Sequence, residues 1–376
     1  MADTLAWTPV VFLCFAGRAG GGFLQSLLDG HEQILMIPTE LQFHQTWERL
    51  RCGPDMSPAQ LADLWCMQTK LTRLRTGIHY GLEEGTNMFT PCDPDDYRRR
   101  LEAQLARYGT SRRATFLAVH HAYAEATHQD LSRIRCIVEM PAYPQRLPDA
   151  LQDFPDASVL QIVRDHRANY ASYLSQRRPI AVLSELRDGL LVLNRTRASL
   201  APRRFHVVRL EDLHLAHEQT VDTLARWLGV DVHPSLRAST LGGIPWLGNS
   251  STGQAVRGVS PSVTTRWRSQ LGGRDIRVVE AVVGDDLQRH GYDVSGPRGS
   301  LPRRIMMAVL PLRGELLWGV PPGAPAHPAL RRMWRIHPGL VAALRALRVL
   351  PRFAADRVRL IRMMTRVDDF ALSRPA

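Results

Sequence analysis

The sequence predicts an α/β fold: a doubly wound sheet of about five parallel strands flanked by helices, with a helical insertion and a basic helical C-terminal appendage. Three observations predict it. Apolar, β-rich runs recur along the first 213 residues, each followed by a pattern of helical period, the alternation that builds a parallel sheet. The first of these runs is unbroken rather than alternating, as strands buried on both faces are. Positive charge collects at the C-terminal end, beyond a Pro/Gly-rich linker.

Each element can be justified in turn. PVVFLCFA (Pro9 to Ala16) is the first strand; it is short, holds Pro9 and has no basic flank before it, so it reads as a strand and not as a signal peptide. Phe23, Leu24, Leu27 and Leu28 then recur at helical spacing, and Asp29-Gly30 supplies a stop. ILMIP (Ile34 to Pro38) is the second strand. Residues 44–130 are mainly helical in pattern, with a polar break at Gly85 to Asp96. Ile134 to Pro141, Ala157 to Asp165 and Phe205 to Leu213 are three further strands, and Asp275 to Tyr292 is a helix ending at Gly291. Pro/Gly-rich stretches at Ser295 to Arg304 and Gly319 to Pro328 set off the tail. The expected domains are therefore 1–295, with 44–130 as its insertion, and 296–376.

Composition narrows the function classes. The net charge is +12, and residues 297–376 alone hold 15 arginines against four acids (Glu315, Asp356, Asp368, Asp369), so the basic character belongs to the tail. Lys70 is the only lysine. The five cysteines form no C-x-x-C and the histidines no H-E-x-x-H, which argues against a zinc site or a disulfide framework and fits a reducing cytoplasm. His120-His121 reads as a helix face, and no metal is expected. No window reaches the roughly eighteen consecutive apolar residues of a membrane span.

The chemistry is concentrated in two segments. GRAGGGFLQSLLDG (Gly17 to Gly30) puts a glycine-rich turn between a buried strand and a helix N-terminus, where backbone N–H groups and the helix dipole converge on an anion. Arg18 adds a fixed cation there. The alternative is that the glycines only permit close packing of helix on strand. The arrangement is P-loop-like, but Phe23 and Leu24 stand where a Walker motif needs Lys and Ser/Thr, and the G-x-G-x-x-G spacing is absent. In IVRDHRANYASYLSQ, Arg164 closes a strand and Ser172 lies eight residues on, a guanidinium and a hydroxyl able to hold a second anion. Otherwise Arg164 is a strand-end ion pair to Asp165 or Glu211. Both segments fall where open α/β sheets bind ligands, outside the carboxyl ends of the strands.

GRAGGGFLQSLLDGH (Gly17 to His31) and FPDASVLQIVRDHRANYASYL (Phe154 to Leu174) together resemble the two cofactor-binding segments of sulfotransferases that use 3′-phosphoadenosine 5′-phosphosulfate (PAPS). VVRLEDL (Val207 to Leu213) and GIPWLGNSS with the following RWRSQL are similar to later family segments, so the resemblance covers residues 9–295. It implies PAPS as co-substrate and no metal. Arg18, Ala19, Gly20, Gly21, Gly22 and Phe23 would form the cradle of the 5′-phosphosulfate, and Arg164 with Ser172 the clamp of the 3′-phosphate. Arg257-Gly258 resembles a late segment that also reaches that phosphate. The chain departs from the family pattern where Ala19, Gly21 and Gly22 replace a serine and two threonines, and where Met140 stands in place of a lysine in a K-x-P context.

Sulfuryl transfer to a hydroxyl needs a group that takes the proton. Glu40, just past the second strand, is the first candidate, with capping of the next helix as its alternative role; His44, one turn later, is the second. The expected activity is transfer to a hydroxyl or amine of a carbohydrate, lipid or small-molecule acceptor. Two alternatives stay open: a non-catalytic or altered nucleotide-binding relative, and a nucleotide-dependent kinase of related topology. In the tail, Leu340, Leu344, Leu347, Phe353, Val358, Ile361 and Met364 recur at near-helical spacing around Pro351 among arginines. That pattern suits a helical lid packed on the catalytic domain, or basic amphipathic helices that make peripheral membrane contact or dock a partner. No aromatic platform accompanies the arginines, so nucleic acid is not an expected partner. The acceptor and the oligomeric state leave no mark in the sequence.

Overall fold

β1 (Val10–Cys14) lies at the centre of a five-stranded sheet of order β2-β3-β1-β4-β5, with β2 Ile34–Leu35, β3 Cys136–Glu139, β4 Ser158–Val163 and β5 Phe205–Arg209. Every neighbouring pair is parallel. The computed structural model describes residues 8–38, 41–68, 93–141, 143–175, 181–248, 258–296, 299–312, 315 and 338–365. All five expected strands are present. β1 is apolar on both faces because both are covered, and all five of its residues are buried. Phe12 packs edge-on against Phe116 and Phe154. The strand expected over Phe205 to Leu213 is shorter: it ends at Arg209, and Leu210 opens a helix whose first turn holds Glu211 and Asp212, acids that favour a helix N-terminus.

The remaining elements follow the expected alternation. α1 (Gly21–Leu28) connects β1 to β2. The described parts of the insertion are helical as expected, with α2 Phe43–Arg49, α3 Pro58–Gln68, α4 Pro94–Tyr108 and α5 Arg112–Ala126 before β3, while residues 69–92, with most of the expected polar break, lie outside the described residues. Asp93 starts α4 by accepting from the backbone N–H groups of Asp95 and Asp96. α6 (Leu147–Asp153) precedes β4; α7 (His166–Ser175) and α8 (Val182–Ser199) separate β4 from β5. After β5 come α9 (Leu210–Leu215), α10 (His217–Leu228), the antiparallel pair β6 (Thr240–Leu241) and β7 (Ile244–Pro245), and the short α11 (Ser262–Thr265) and α12 (Trp267–Gln270). α13 (Gly273–Arg289), α14 (Leu301–Val309) and α15 (Pro338–Thr365) complete the chain.

The chain divides into two compact units. One comprises Met1–Phe15, Gly20–Val163 and Val192–Val263 and holds the sheet. The other comprises Ala16–Ala19, Arg164–Leu191 and Thr264–Ala376, so the domain boundary expected at residue 295 falls inside it. Ion pairs bind this second unit together. Arg187 and Asp286 meet at 2.7 Å with both side chains buried, Arg304 lies 3.1 Å from Asp285, and Arg167 lies 2.7 Å from Glu280. Such pairs specify partners strongly, because removing one member strands the other charge away from water. α15 joins the same unit through Asp356, which accepts from the Ser184 hydroxyl, and through Arg359, 2.9 Å from Asp188. Leu360 and Met364 on that helix are buried.

Candidate functional site

Because β1 and β4 are parallel neighbours, the chain leaves both at the same sheet edge, into residues 15–20 and 164–165. α7 then reaches back to the first of these loops. The Asn169 side-chain amide donates to the carbonyl oxygen of Ala16 at 3.1 Å, and the Arg18 Nε–H donates to the Ser172 hydroxyl at 3.3 Å. Asn169 and Ser172 are three residues apart, hence on one face of α7. Arg164 completes the arrangement with its Nη1–H directed at the carbonyl oxygen of Arg18, 3.4 Å away. Three residues singled out from distant stretches of sequence, Arg18, Arg164 and Ser172, are thus brought together, and all three are part-exposed to solvent. Arg18 and Arg164 thus bring two guanidinium groups to the loop after β1, donors of the kind that suit phosphate or sulfate oxygens.

The turn of the chain after Arg164 is fixed by a residue that sequence analysis passed over. Arg167 forks onto the Asp165 carboxylate, with its Nε and Nη2 at 2.9 and 2.8 Å, and stacks over the Trp267 ring at 4.5 Å. Asp165, one of the two acids considered as a partner of Arg164, is therefore engaged by Arg167. Asn169 was also missed, although its spacing from Ser172 could have marked it.

The glycines have a packing role on the α1 side. Gly20 has φ 94°, a left-handed conformation, and a Cβ there would lie 2.7 Å from Leu210. A Cβ on Gly21 would lie 2.3 Å from the Phe15 ring. Any side chain at position 21 would thus require Phe15 to shift. Ala19 and Phe23 are buried, while Gly22 is half-buried in the first turn of α1. Phe23 stacks on the His214 ring, with centroids 4.7 Å apart and planes at 11°. His214 Nδ1 accepts from the Ser260 backbone N–H at 3.1 Å, which ties the segment beginning at Gly258 to the start of α1. Arg257 lies outside the described residues, as does Glu40.

His44 is 1 % exposed, with Nε2 3.1 Å from the Asp153 carboxylate and the ring edge-on to Phe12 and Phe43. Burial pushes its pKa below the usual histidine value, although Asp153 pulls the other way. The expectation of a second candidate base meets a ring enclosed in the core. Glu139, at the end of β3, is buried too; its Oε1 accepts from the Phe43 N–H at 3.2 Å and so anchors the start of α2. Burial raises its pKa to about 8. Met140 is likewise buried, and no cation occupies that position. His120 and His121 lie on α5, both buried, with pKa values lowered by burial to about 4. Among the described residues no group of three or more His, Cys, Asp or Glu is placed to hold a metal ion, and no helix is long and apolar enough to cross a membrane.

Comparison with known proteins places these features. The family model described as "Sulfotransferase family" matches residues 9–234. No curated protein sequence matches the chain. Among solved structures, the chain is similar to the sulfotransferase domain from the Synechococcus PCC 7002 olefin synthase at 18 % identity and TM-score 0.44, over 71 % of this chain and 89 % of that one. It is similar to the sulfotransferase domain from the curacin biosynthetic pathway at 13 % identity and TM-score 0.48, over 76 % and 99 %. A third likeness is to sulfotransferase STF9 from Mycobacterium avium, at 12 % identity and TM-score 0.40, over 77 % and 78 %. The family match, which spans more than half of the chain, takes in both the β1 loop that carries Arg18 and the β4–α7 segment that carries Arg164 and Ser172. The chain belongs to the sulfotransferase family.

Proposed function

We propose that the chain transfers a sulfuryl group from PAPS to a hydroxyl or amine of a carbohydrate, lipid or small-molecule acceptor. The observation that carries this reading is the convergence of Arg18, Arg164 and Ser172 around one loop. When bound, the donor supplies an activated sulfuryl group on a phosphate leaving group. Arg18 would stabilise the charge that develops on that phosphate, the main electrostatic demand of the transfer. Arg164 and Ser172 would hold the 3′-phosphate, with Asn169 and Arg167 keeping the loop and α7 in place. Gly258, tied through Ser260 to His214, and Arg257 would reach the same phosphate. Glu40 would accept the acceptor's proton. Cys14, Cys52, Cys66 and Cys136 form no disulfide, which suits action in a reducing compartment such as the cytoplasm.

A second reading, a nucleotide-binding relative without transfer activity, is favoured by one observation: Met140 is buried where a cation would assist the leaving group. Transfer of labelled sulfuryl groups from PAPS to a panel of acceptors separates the two. The proposal predicts labelled product with the wild type and none with Glu40→Gln, while 3′-phosphoadenosine 5′-phosphate still binds that variant. Binding without transfer to any acceptor would favour the second reading, and near-normal turnover of Glu40→Gln would remove Glu40 from its role.

A further inference from the structure

α14 is amphipathic in the inverse sense. Its buried side carries Arg304 and Ala308, four residues apart, with the Arg304 Nε–H donating to the Ala281 carbonyl at 2.9 Å and its guanidinium near Asp285. The opposite side carries Arg303, Met306, Val309 and then Leu310, all exposed, Met306 at 62 %. A helix on the surface of a globular protein ordinarily does the reverse, turning its apolar stripe to the core and its charges to water. α15, in the same unit, adds exposed Leu350 and Val358. Five of the nine large apolar side chains that are exposed among the described residues therefore fall after residue 300.

The exposed charges that this end of the chain itself contributes have one sign. Beyond residue 298, the exposed charged side chains among the described residues are Arg303, Arg352, Arg359 and Arg362. The two described acids there, Glu315 and Asp356, are buried, and both are engaged by Arg357. We propose that the α14 face, with Arg352 and Arg362 of α15, docks on the surface of an anionic lipid bilayer. Met306, Val309 and Leu310 would enter the interfacial region while the guanidinium groups meet the lipid phosphates, as basic amphipathic helices do. A second copy of this chain fits less well, because a two-fold interface would set one arginine-bearing face against another. Nucleic acid would use the arginines but leave the apolar side chains without a purpose. This inference does not rest on the sulfuryl-transfer reading.

The test uses the full chain with phosphatidylcholine vesicles prepared with and without phosphatidylglycerol, followed by co-sedimentation at low and raised ionic strength. Binding is expected only to vesicles containing phosphatidylglycerol, and it should weaken as salt screens the charges. Arg352→Glu with Arg362→Glu should weaken it by about tenfold or more, since each arginine near an anionic surface is worth roughly fivefold. Met306→Ser with Val309→Ser should weaken it comparably while unfolding at the wild-type temperature; Met306→Ser alone serves should the pair misfold. Equal binding to both vesicle types, no binding to either, or variants that bind like the wild type would overturn the proposal. So would a dimer in solution that Met306→Ser dissociates.

Discussion

Replacing Glu139 by Gln should flatten the fall in stability that the wild type shows on the alkaline side of neutrality. Glu139 ends β3 in register with Phe12, is 2 % exposed, and accepts the Phe43 N–H through Oε1. Burial raises its pKa from 4.5 to about 8, with the Phe43 hydrogen bond opposing weakly. Between those values the folded chain holds a proton that the unfolded chain has released, so stability falls as pH rises through that window, by about 1.4 kcal/mol per pH unit. The buried histidines act in the opposite sense. His120 and His121, lowered to about 4, leave the folded chain with fewer protons than the unfolded one, and their contribution to stability rises with pH until the unfolded rings have titrated, near the ordinary histidine value. From about pH 6.5 to about pH 8 the fall assigned to Glu139 is therefore about 2 kcal/mol. Gln keeps the acceptor for Phe43 and has no proton to lose. Urea unfolding followed by tryptophan fluorescence at the two ends of this window measures the difference. Wild type and Glu139→Gln losing stability in parallel would refute the reasoning.

Four further outcomes follow from the geometry. Gly21→Ala places a Cβ 2.3 Å from Phe15 and should cost about 1–3 kcal/mol of stability by overpacking. Phe15→Leu combined with it should cost less than the two changes summed; strict additivity in thermal unfolding would deny the contact. His214→Phe keeps a ring against Phe23 but removes the acceptor for Ser260, so exchange of the Ser260 amide hydrogen should accelerate by roughly fivefold, the worth of one hydrogen bond. His214→Asn, whose Oδ1 takes the place of Nδ1, should exchange like the wild type, and identical rates in both variants would sink the role.

The sheet was legible in the sequence because strands buried on both faces leave unbroken apolar runs, as in Val10–Cys14. Where a strand stops was less legible, since Leu210 suits a strand as well as the helix that it opens. The division into units was not, because α13 is joined to α7 by Arg167–Glu280 and to α8 by Arg187–Asp286, and charged residues look solvent-exposed to any reading of hydropathy. In the site, Arg18 and Ser172 are 154 residues apart, and only the adjacency of β1 and β4 brings them within reach. His44, the second candidate base, is singled out by its position one turn past Glu40, and sequence position alone does not show that the ring is enclosed with Asp153, Phe12 and Phe43. Phe15, which accounts for the glycine at position 21, carries no motif and shows its effect only in three dimensions.

The measurement that bears most directly on the central claim is titration calorimetry of 3′-phosphoadenosine 5′-phosphate and of ATP into the wild type and Arg164→Ala. Arg164 should supply charge-assisted hydrogen bonds to the 3′-phosphate, worth roughly tenfold to hundredfold in affinity. The account predicts that the wild type binds the bisphosphate well and ATP, which has no 3′-phosphate, poorly, and that Arg164→Ala loses the bisphosphate by that factor. An unchanged dissociation constant in Arg164→Ala, or ATP bound as tightly as the bisphosphate, would contradict it.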